Sequence, residues 1–255
     1  MNGISDNIFA SIYTSLFSRE WNGNAIWQHI ASGKLTAATC LVGEQYSTQD
    51  TKVMIVGRAV NGWQEDFGDC STLEATVDSV ITQNNCLNKF ASKSTEDENG
   101  NIYYYAKSPF LRMMRQLVGK FTGYEENWQQ RLVWSNLYKI SFREGGNPSW
   151  LMLRDDISLY RDLIISEIRQ NEPDVVVFVT DENFFDPYKG NKKYSSFREI
   201  MNETGTNNVK SKFICFAGSF IENQNIKLIV CKRPERRPIA EMVDAIADVY
   251  NELKK

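Results

Sequence analysis

The segment from Gly57 to Gly68 contains several residue types that could act on a substrate. Glu65 and Asp66 are candidate general bases, Asn61 could help to position a water molecule, and Trp63 offers a surface for stacking. A glycine at each end permits close approach of a ligand to the backbone. The spacing matches neither a phosphate-binding P-loop nor the three-glycine dinucleotide turn. A strand-to-helix turn with a structural tryptophan is the alternative interpretation.

A second candidate is Asn136, which ends an apolar, β-branched and aromatic segment beginning near Arg131. Its carboxamide offers one acceptor and two donors. It can therefore read the Watson–Crick edge of a pyrimidine through a pair of hydrogen bonds. The alternative is an asparagine that bonds to its local backbone.

The third candidate is a cationic loop between the last strand and the last helix. Four cations fall within six residues, namely Lys232, Arg233, Arg236 and Arg237. Pro234, within this run, and Pro238, directly after it, stiffen the segment. Such a cluster suits phosphate or another anion, although a short run of charge is also typical of a solvated turn.

Other residue types exclude several classes of site. The only histidine, His29, lies far along the chain from these loops, which argues against Ser-His-Asp chemistry and histidine metal sites. The five cysteines include no Cys-x-x-Cys pair, so we expect neither a metal nor a cofactor, and we expect a reducing, cytoplasmic location. The net charge of -3 excludes a generally basic surface but permits a local basic patch. The chain has no signal-peptide pattern and no apolar run long enough for a membrane span.

The elements that must position these residues alternate between apolar strands and amphipathic helices. Strands are predicted at Lys52–Val56, within Arg131–Ile140, and at Val175–Thr180, Lys212–Ala217 and Lys227–Val230. Helices are predicted at Ile8–Phe17, Ala25–Ser32, Leu73–Asn85, from Ser108, at Ser158–Gln170 and at Pro238–Leu253. This alternation predicts an α/β fold with a mainly parallel sheet and helices on both faces. Ligands bind such sheets at the carboxyl ends of the strands. We expect one domain, 1–255, with an N-terminal helical extension over about 1–50.

The order of short motifs from about Lys52 to the C-terminus resembles the uracil-DNA glycosylase superfamily. The motifs are Gly57-Arg58-Ala59, Ser108-Pro109, Val133-Trp134-Ser135-Asn136, Glu172-Pro173-Asp174-Val175-Val176-Val177 and the Arg-Pro loop after the last strand. The resemblance implies a three-layer α/β/α sandwich with a mainly parallel four-stranded central sheet. It also implies a pocket for a base flipped out of the duplex.

Carried over by motif, Asn136 takes the base-reading position and Gly57 takes the leading glycine of the first loop. The sequence departs from the family at Ala59 and Val60, and its last loop has Lys232 and Arg233 in place of the histidine. A cation could stabilise the departing base instead. The family's iron–sulfur branches need a close cysteine pair that this chain lacks.

Two main hypotheses follow, and they differ on whether the protein is an enzyme. The first is a divergent DNA glycosylase-like protein that hydrolyses the N-glycosidic bond, with Asp66 or Glu65 positioning water and Trp63 or one of Tyr103–Tyr105 stacking on the base. The second is a non-catalytic module of the same fold that binds a nucleotide or nucleic acid. A different α/β enzyme, acting on a small anion held by Arg58 and Arg233, is a third alternative.

Overall fold

The fold was analysed in a computed structural model of the chain. The structure describes residues 5–60, 70–82, 94–96, 102–104, 107–153, 155–189, 191, 194–203 and 211–255. The α-helices are α1 Ser5–Phe17, α2 Ile26–Ala31, α3 Leu73–Ile81, α4 Pro109–Thr122, α5 Trp150–Leu153, α6 Ile157–Asn171, α7 Glu182–Phe185 and α8 Ile239–Leu253. Short 3-10 turns occupy Tyr46–Thr48, Trp128–Gln130 and Phe197–Ile200.

The strands form one large sheet and three two-stranded ribbons. They are β1 Glu20–Trp21, β2 Asn24–Ala25, β3 Leu35–Ala37, β4 Leu41–Val42, β5 Val53–Ala59, β6 Ser94–Glu96, β7 Ile102–Tyr104, β8 Leu132–Tyr138, β9 Ile140–Phe142, β10 Val175–Val179, β11 Met201–Asn202, β12 Ile214–Phe220 and β13 Lys227–Cys231. The sheet order is β11-β12-β13-β10-β5-β8-β4. The four neighbours β13, β10, β5 and β8 are parallel, and the flanking strands are antiparallel.

The sheet is covered by helices on both faces because its central strands are apolar on both sides. Along β5, Val53 and Ile55 pack with helices α4 and α8. The alternate residues Met54 and Val56 pack with α1, α3 and α6. Side chains of successive strand residues point to opposite faces, so an uninterrupted apolar run buries both. This confirms the α/β class and the mainly parallel sheet.

The sheet differs in size from the four strands implied by the family resemblance. Within the described residues it has seven, because antiparallel β4, β11 and β12 extend the parallel group at its edges. Strand β12 was predicted as a segment, and it pairs antiparallel with β13 because only a short turn separates them. The two-residue strands β4 and β11 are too short to show any periodicity.

The N-terminal segment packs against the rest of the domain. Tyr13 of α1 is fully buried and donates a hydrogen bond to the carbonyl of Ala38 at 2.8 Å. Strand β4 pairs with β8 at the edge of the large sheet. Among the described residues, no helix has the length and apolar character needed to cross a bilayer.

Candidate functional site

The candidate site lies at the edge where the four parallel strands end. Gly57 and Arg58 belong to β5, Asn136 to β8, Asp181 follows β10, and Arg233 follows β13. Because parallel strands share one carboxyl edge, four segments that are far apart in the chain meet there.

Asn136 and Gly57 are direct partners in the register of β8 and β5. A Cβ atom placed on Gly57 would lie 2.5 Å from Oδ1 of Asn136, so the carboxamide rests against the glycine backbone. Asn136 is buried, with 4% of its surface exposed. Its carboxamide forms no hydrogen bond with any residue that the structure describes, and the local-backbone alternative is therefore not observed there. Among the described residues, nothing therefore occupies its one acceptor and two donors.

Phe110 borders the same position from the helical layer. Its Cζ atom would lie 3.2 Å from a Cβ on Gly57, and its ring centroid is 5.9 Å from that of Trp134. Helix α4 begins here because the Ser108 hydroxyl accepts a hydrogen bond from the Leu111 N–H at 3.3 Å. The ring is only half-buried. A partly exposed aromatic ring thus lies beside a carboxamide. We call these three residues, Gly57, Phe110 and Asn136, the Asn136 cluster.

Arg58 is held on the rim by fixed partners. Its Nε donates to the carbonyl of Thr180 at 2.9 Å, and its Nη2 is paired with the carboxylate of Asp181. The guanidinium also lies over the ring of Phe184, with Cζ 4.1 Å from the centroid. Arg58 is therefore fixed by a hydrogen bond, an ion pair and an aromatic ring.

Arg233 joins the rim from the last loop. Its backbone N–H donates to Oδ1 of Asp181 at 3.2 Å. Its side chain forms two hydrogen bonds with Glu235, through Nε at 3.1 Å and through Nη2. The guanidinium lies 6.0 Å from the ring centroid of Phe110. Arg58, Asp181, Arg233 and Glu235, which we call the charged rim, therefore border the Asn136 cluster.

The two arginines of the rim influence each other electrostatically. Burial lowers the pKa of Arg58, and the nearby charge of Arg233 lowers it further, against the opposing attraction of Asp181. An anion that contacts both guanidinium groups would offset this repulsion.

The backbone of Asp181 adopts a strained conformation. Its backbone has φ 64° and ψ 162°, a region that residues other than glycine rarely adopt. Its two carboxylate oxygens bind Arg58 and the backbone of Arg233, so this residue connects the end of β5 with the segments that follow β10 and β13.

Only some of the residues predicted from the sequence lie together at this site. The structure brings together Gly57, Arg58, Asn136 and Arg233. The other cations of the last loop are peripheral: Lys232 is half-exposed, Arg236 is exposed, and exposed Arg237 donates to the carbonyl of Arg233 at 2.6 Å. Asn61, Trp63, Glu65, Asp66 and Tyr105 lie outside the described residues, while Tyr103 and Tyr104 belong to strand β7.

Sequence reasoning missed three residues of the site. Phe110 has the pattern of an apolar helical residue, and it occupies the first turn of α4, which is the end of the helix nearest the rim. Asp181 follows the most apolar strand directly, and that position was the available signal. Glu235 lies between the cations of the last loop, where its pairing with Arg233 has no signal in the sequence.

Two other polar groups are structural. His29 is buried, with Nε2 2.7 Å from the carbonyl oxygen of Trp21. Lys139 lies fully buried on the opposite face of the sheet from Asn136. Its Nζ donates to Ser135 at 2.5 Å and to Glu167 at 2.7 Å, so both buried charges are compensated.

The chain matches none of the family models searched, and no curated protein is significantly similar to it in sequence.

Proposed function

We propose that this protein is a divergent DNA glycosylase-like protein that binds a base, flipped out of a nucleic-acid strand, against the Asn136 cluster. The observation that carries the proposal is the carboxamide of Asn136, buried beside a half-exposed phenyl ring and without a hydrogen bond to any described residue. A flipped base needs both a stacking surface and hydrogen bonds to its Watson–Crick edge.

The surrounding fold supports the same proposal. Four adjacent parallel strands with helices on both faces agree with the sheet core that the family resemblance implies. Gly57 and Asn136 are neighbours in that sheet, as their matched motifs require. In this proposal Phe110 stacks on the base, a role that the sequence alone assigned to Trp63 or a tyrosine.

The charged rim would hold the sugar–phosphate backbone next to the bound base. Arg58 follows Gly57 in β5, the guanidinium of Arg233 lies 6.0 Å from the ring of Phe110, and Arg236 and Arg237 lie exposed further along the loop of Arg233. Arginine binds phosphate oxygens through paired hydrogen bonds. Affinity for DNA would then fall as salt concentration rises, because phosphate contacts release counterions.

Hydrolysis of the N-glycosidic bond additionally needs a group that activates water. Asp181 is not suited to this, because both of its carboxylate oxygens are already hydrogen-bonded on the rim. We assign the role to Asp66 or Glu65, with Asn61 orienting the water. Lys232 or Arg233 would stabilise negative charge on the departing base.

A non-catalytic module that binds a nucleotide or nucleic acid is the second candidate. The observation that favours it is the pairing of Arg233 with Glu235, because an arginine bound to a carboxylate is less available to a leaving base. Such a protein would use the Asn136 cluster for binding and would release no base.

An excision assay separates the two candidates. Oligonucleotides carrying uracil or a damaged base are incubated with the wild-type protein and with Asn136→Ala, and abasic sites are measured by alkaline strand cleavage. The glycosylase would be supported if the wild type releases the base and if the rate of release is about 10²–10³-fold lower in Asn136→Ala. Base-dependent binding without release would support the module, and neither binding nor release would overturn both.

A further inference from the structure

The two carboxylates of the charged rim are held in different ways. Asp181 is fixed by hydrogen bonds to Arg58 and to the Arg233 backbone, and 24% of its side chain is exposed. Glu235 contacts the side chain of Arg233, and 43% of its own side chain is exposed. Asp181 therefore connects β5 with the segments after β10 and β13, whereas the Glu235 side chain can turn away from Arg233 without breaking that connection.

Glu235 binds Arg233 in the manner of a phosphate group. Nε and Nη2 of the guanidinium donate to the two carboxylate oxygens, Oε2 and Oε1, which is the forked arrangement that arginine uses for carboxylate and phosphate alike. The pair is formed by residues two apart in one loop, so it makes no tertiary contact. The guanidinium of Arg233 lies beside Phe110, so the group that Glu235 occupies is next to the Asn136 cluster.

We propose that Glu235 occupies the phosphate-binding fork of Arg233 in the free protein, and that a phosphate group of the ligand displaces it. The proposal deepens the proposed function and rests on it, because the phosphate is taken to belong to a nucleic-acid strand whose base enters the Asn136 cluster. Arg58, which is held by the Thr180 carbonyl and the Asp181 carboxylate, supplies a second positive charge on the same rim.

The exchange predicts that removing the charge of Glu235 strengthens anion binding. Glu235→Gln keeps the length of the side chain but no longer competes as an anion for the guanidinium. Exposed ion pairs are worth up to about 1 kcal/mol, which corresponds to about fivefold in affinity. We expect the variant to bind phosphate-bearing ligands about fivefold more tightly than the wild type.

Glu222→Gln is a matched control. Glu222 also forms a forked pair with an arginine, Arg169, with Nε to Oε2 at 2.6 Å. It precedes β13, whereas Glu235 follows it, so it lies at the opposite edge of the sheet. Glu222→Gln makes the same change in net charge without touching the rim.

The experiment measures affinity for two probes at one salt concentration. Inorganic phosphate is titrated by calorimetry, and a duplex carrying an abasic spacer is titrated by fluorescence anisotropy. The proteins are the wild type, Glu235→Gln, Glu222→Gln, Arg233→Gln and the double variant Arg233→Gln/Glu235→Gln. The abasic spacer removes any contribution from a base in the Asn136 cluster.

We expect Glu235→Gln to bind both probes about fivefold more tightly, Glu222→Gln to stay within about twofold of the wild type, and the gain to vanish in the Arg233→Gln background. Equal gains in the two glutamine variants, or a gain that persists without Arg233, would overturn the exchange. Duplex binding that is identical in all variants would overturn the exchange while leaving the proposed function standing. A gain for inorganic phosphate, with no duplex binding by any protein, would uphold the exchange and overturn the proposed function.

Discussion

A side chain on Gly57 would begin 2.5 Å from Oδ1 of Asn136, its partner on the neighbouring parallel strand. The carboxamide can keep its position only because the residue opposite it is glycine. The backbone of Gly57 does not lie in the left-handed region, so the requirement is for space and not for an unusual φ.

Gly57→Ala is therefore expected to disturb the site more than the fold. The new methyl group would push the Asn136 carboxamide aside and crowd the ring of Phe110, whose Cζ would lie 3.2 Å away. We expect base-dependent DNA binding to weaken by at least about tenfold, as loss of one or more good hydrogen bonds requires. Thermal unfolding measured beside the anisotropy titration should show a comparatively small shift. Unchanged binding would contradict the assigned packing.

Phe110→Leu tests the stacking role. Leucine keeps an apolar side chain against Trp134 but has no π-face for a base, and stacking on an aromatic ring is worth about 1–3 kcal/mol per base. We expect affinity for a base-bearing oligonucleotide to fall by about tenfold, with little change for one carrying an abasic spacer. Phe110→Trp, which retains a flat ring, serves as the comparison. Equal losses for both oligonucleotides would show that Phe110 supports the fold and does not contact the base.

The backbone of Asp181 gives a prediction about stability. Asp181→Ala and Asp181→Gly both remove the ion pair with Arg58, but only glycine adopts φ 64° and ψ 162° without strain. Such strain costs about 1–3 kcal/mol, and the greater freedom of glycine in the unfolded chain offsets part of it. Urea titration should find Asp181→Gly more stable than Asp181→Ala by about 1 kcal/mol. The opposite order would argue against strain at this residue.

The buried pair of Lys139 and Glu167 predicts a strong interaction between two mutations. Their side chains are 1% and 0% exposed, so Lys139→Met would leave the Glu167 carboxylate without its counter-ion in the core. Loss of one partner of a buried pair costs about 3–5 kcal/mol, whereas replacing both by apolar residues is often neutral. We expect Lys139→Met to lower the free energy of unfolding by that amount and Lys139→Met/Glu167→Met to recover most of it. Additive losses in urea titrations would contradict this account.

The central elements were predictable because their signals are local. Ser108 and Pro109 marked the start of a helix, and α4 begins at Pro109 with the Ser108 hydroxyl as its cap. The apolar run at Val175–Thr180 predicted a buried central strand, and β10 occupies Val175–Val179 in the middle of the sheet. In such cases a few neighbouring residues determine the structure.

The edges of the sheet and part of the site could not be predicted in this way. Leu41 and Val42 join the sheet through pairing with β8, a tertiary contact that a two-residue segment cannot signal. Phe110 has the sequence pattern of a core residue. Its place beside Asn136 depends on where α4 begins relative to the sheet, which is a tertiary feature. Asp181 acquires its role from Arg58 and Arg233, which are more than fifty residues away in either direction along the chain.

The most direct test of the central claim is the affinity of the wild type and of Asn136→Ala for two duplexes. One carries an unpaired 2′-fluorinated deoxyuridine that resists cleavage, and the other carries an abasic spacer at the same position. We expect the wild type to prefer the base-bearing duplex by about tenfold or more and Asn136→Ala to lose that preference, while both bind the abasic duplex equally. A preference that survives in Asn136→Ala, or its absence from the wild type, would contradict the claim that Asn136 reads a base.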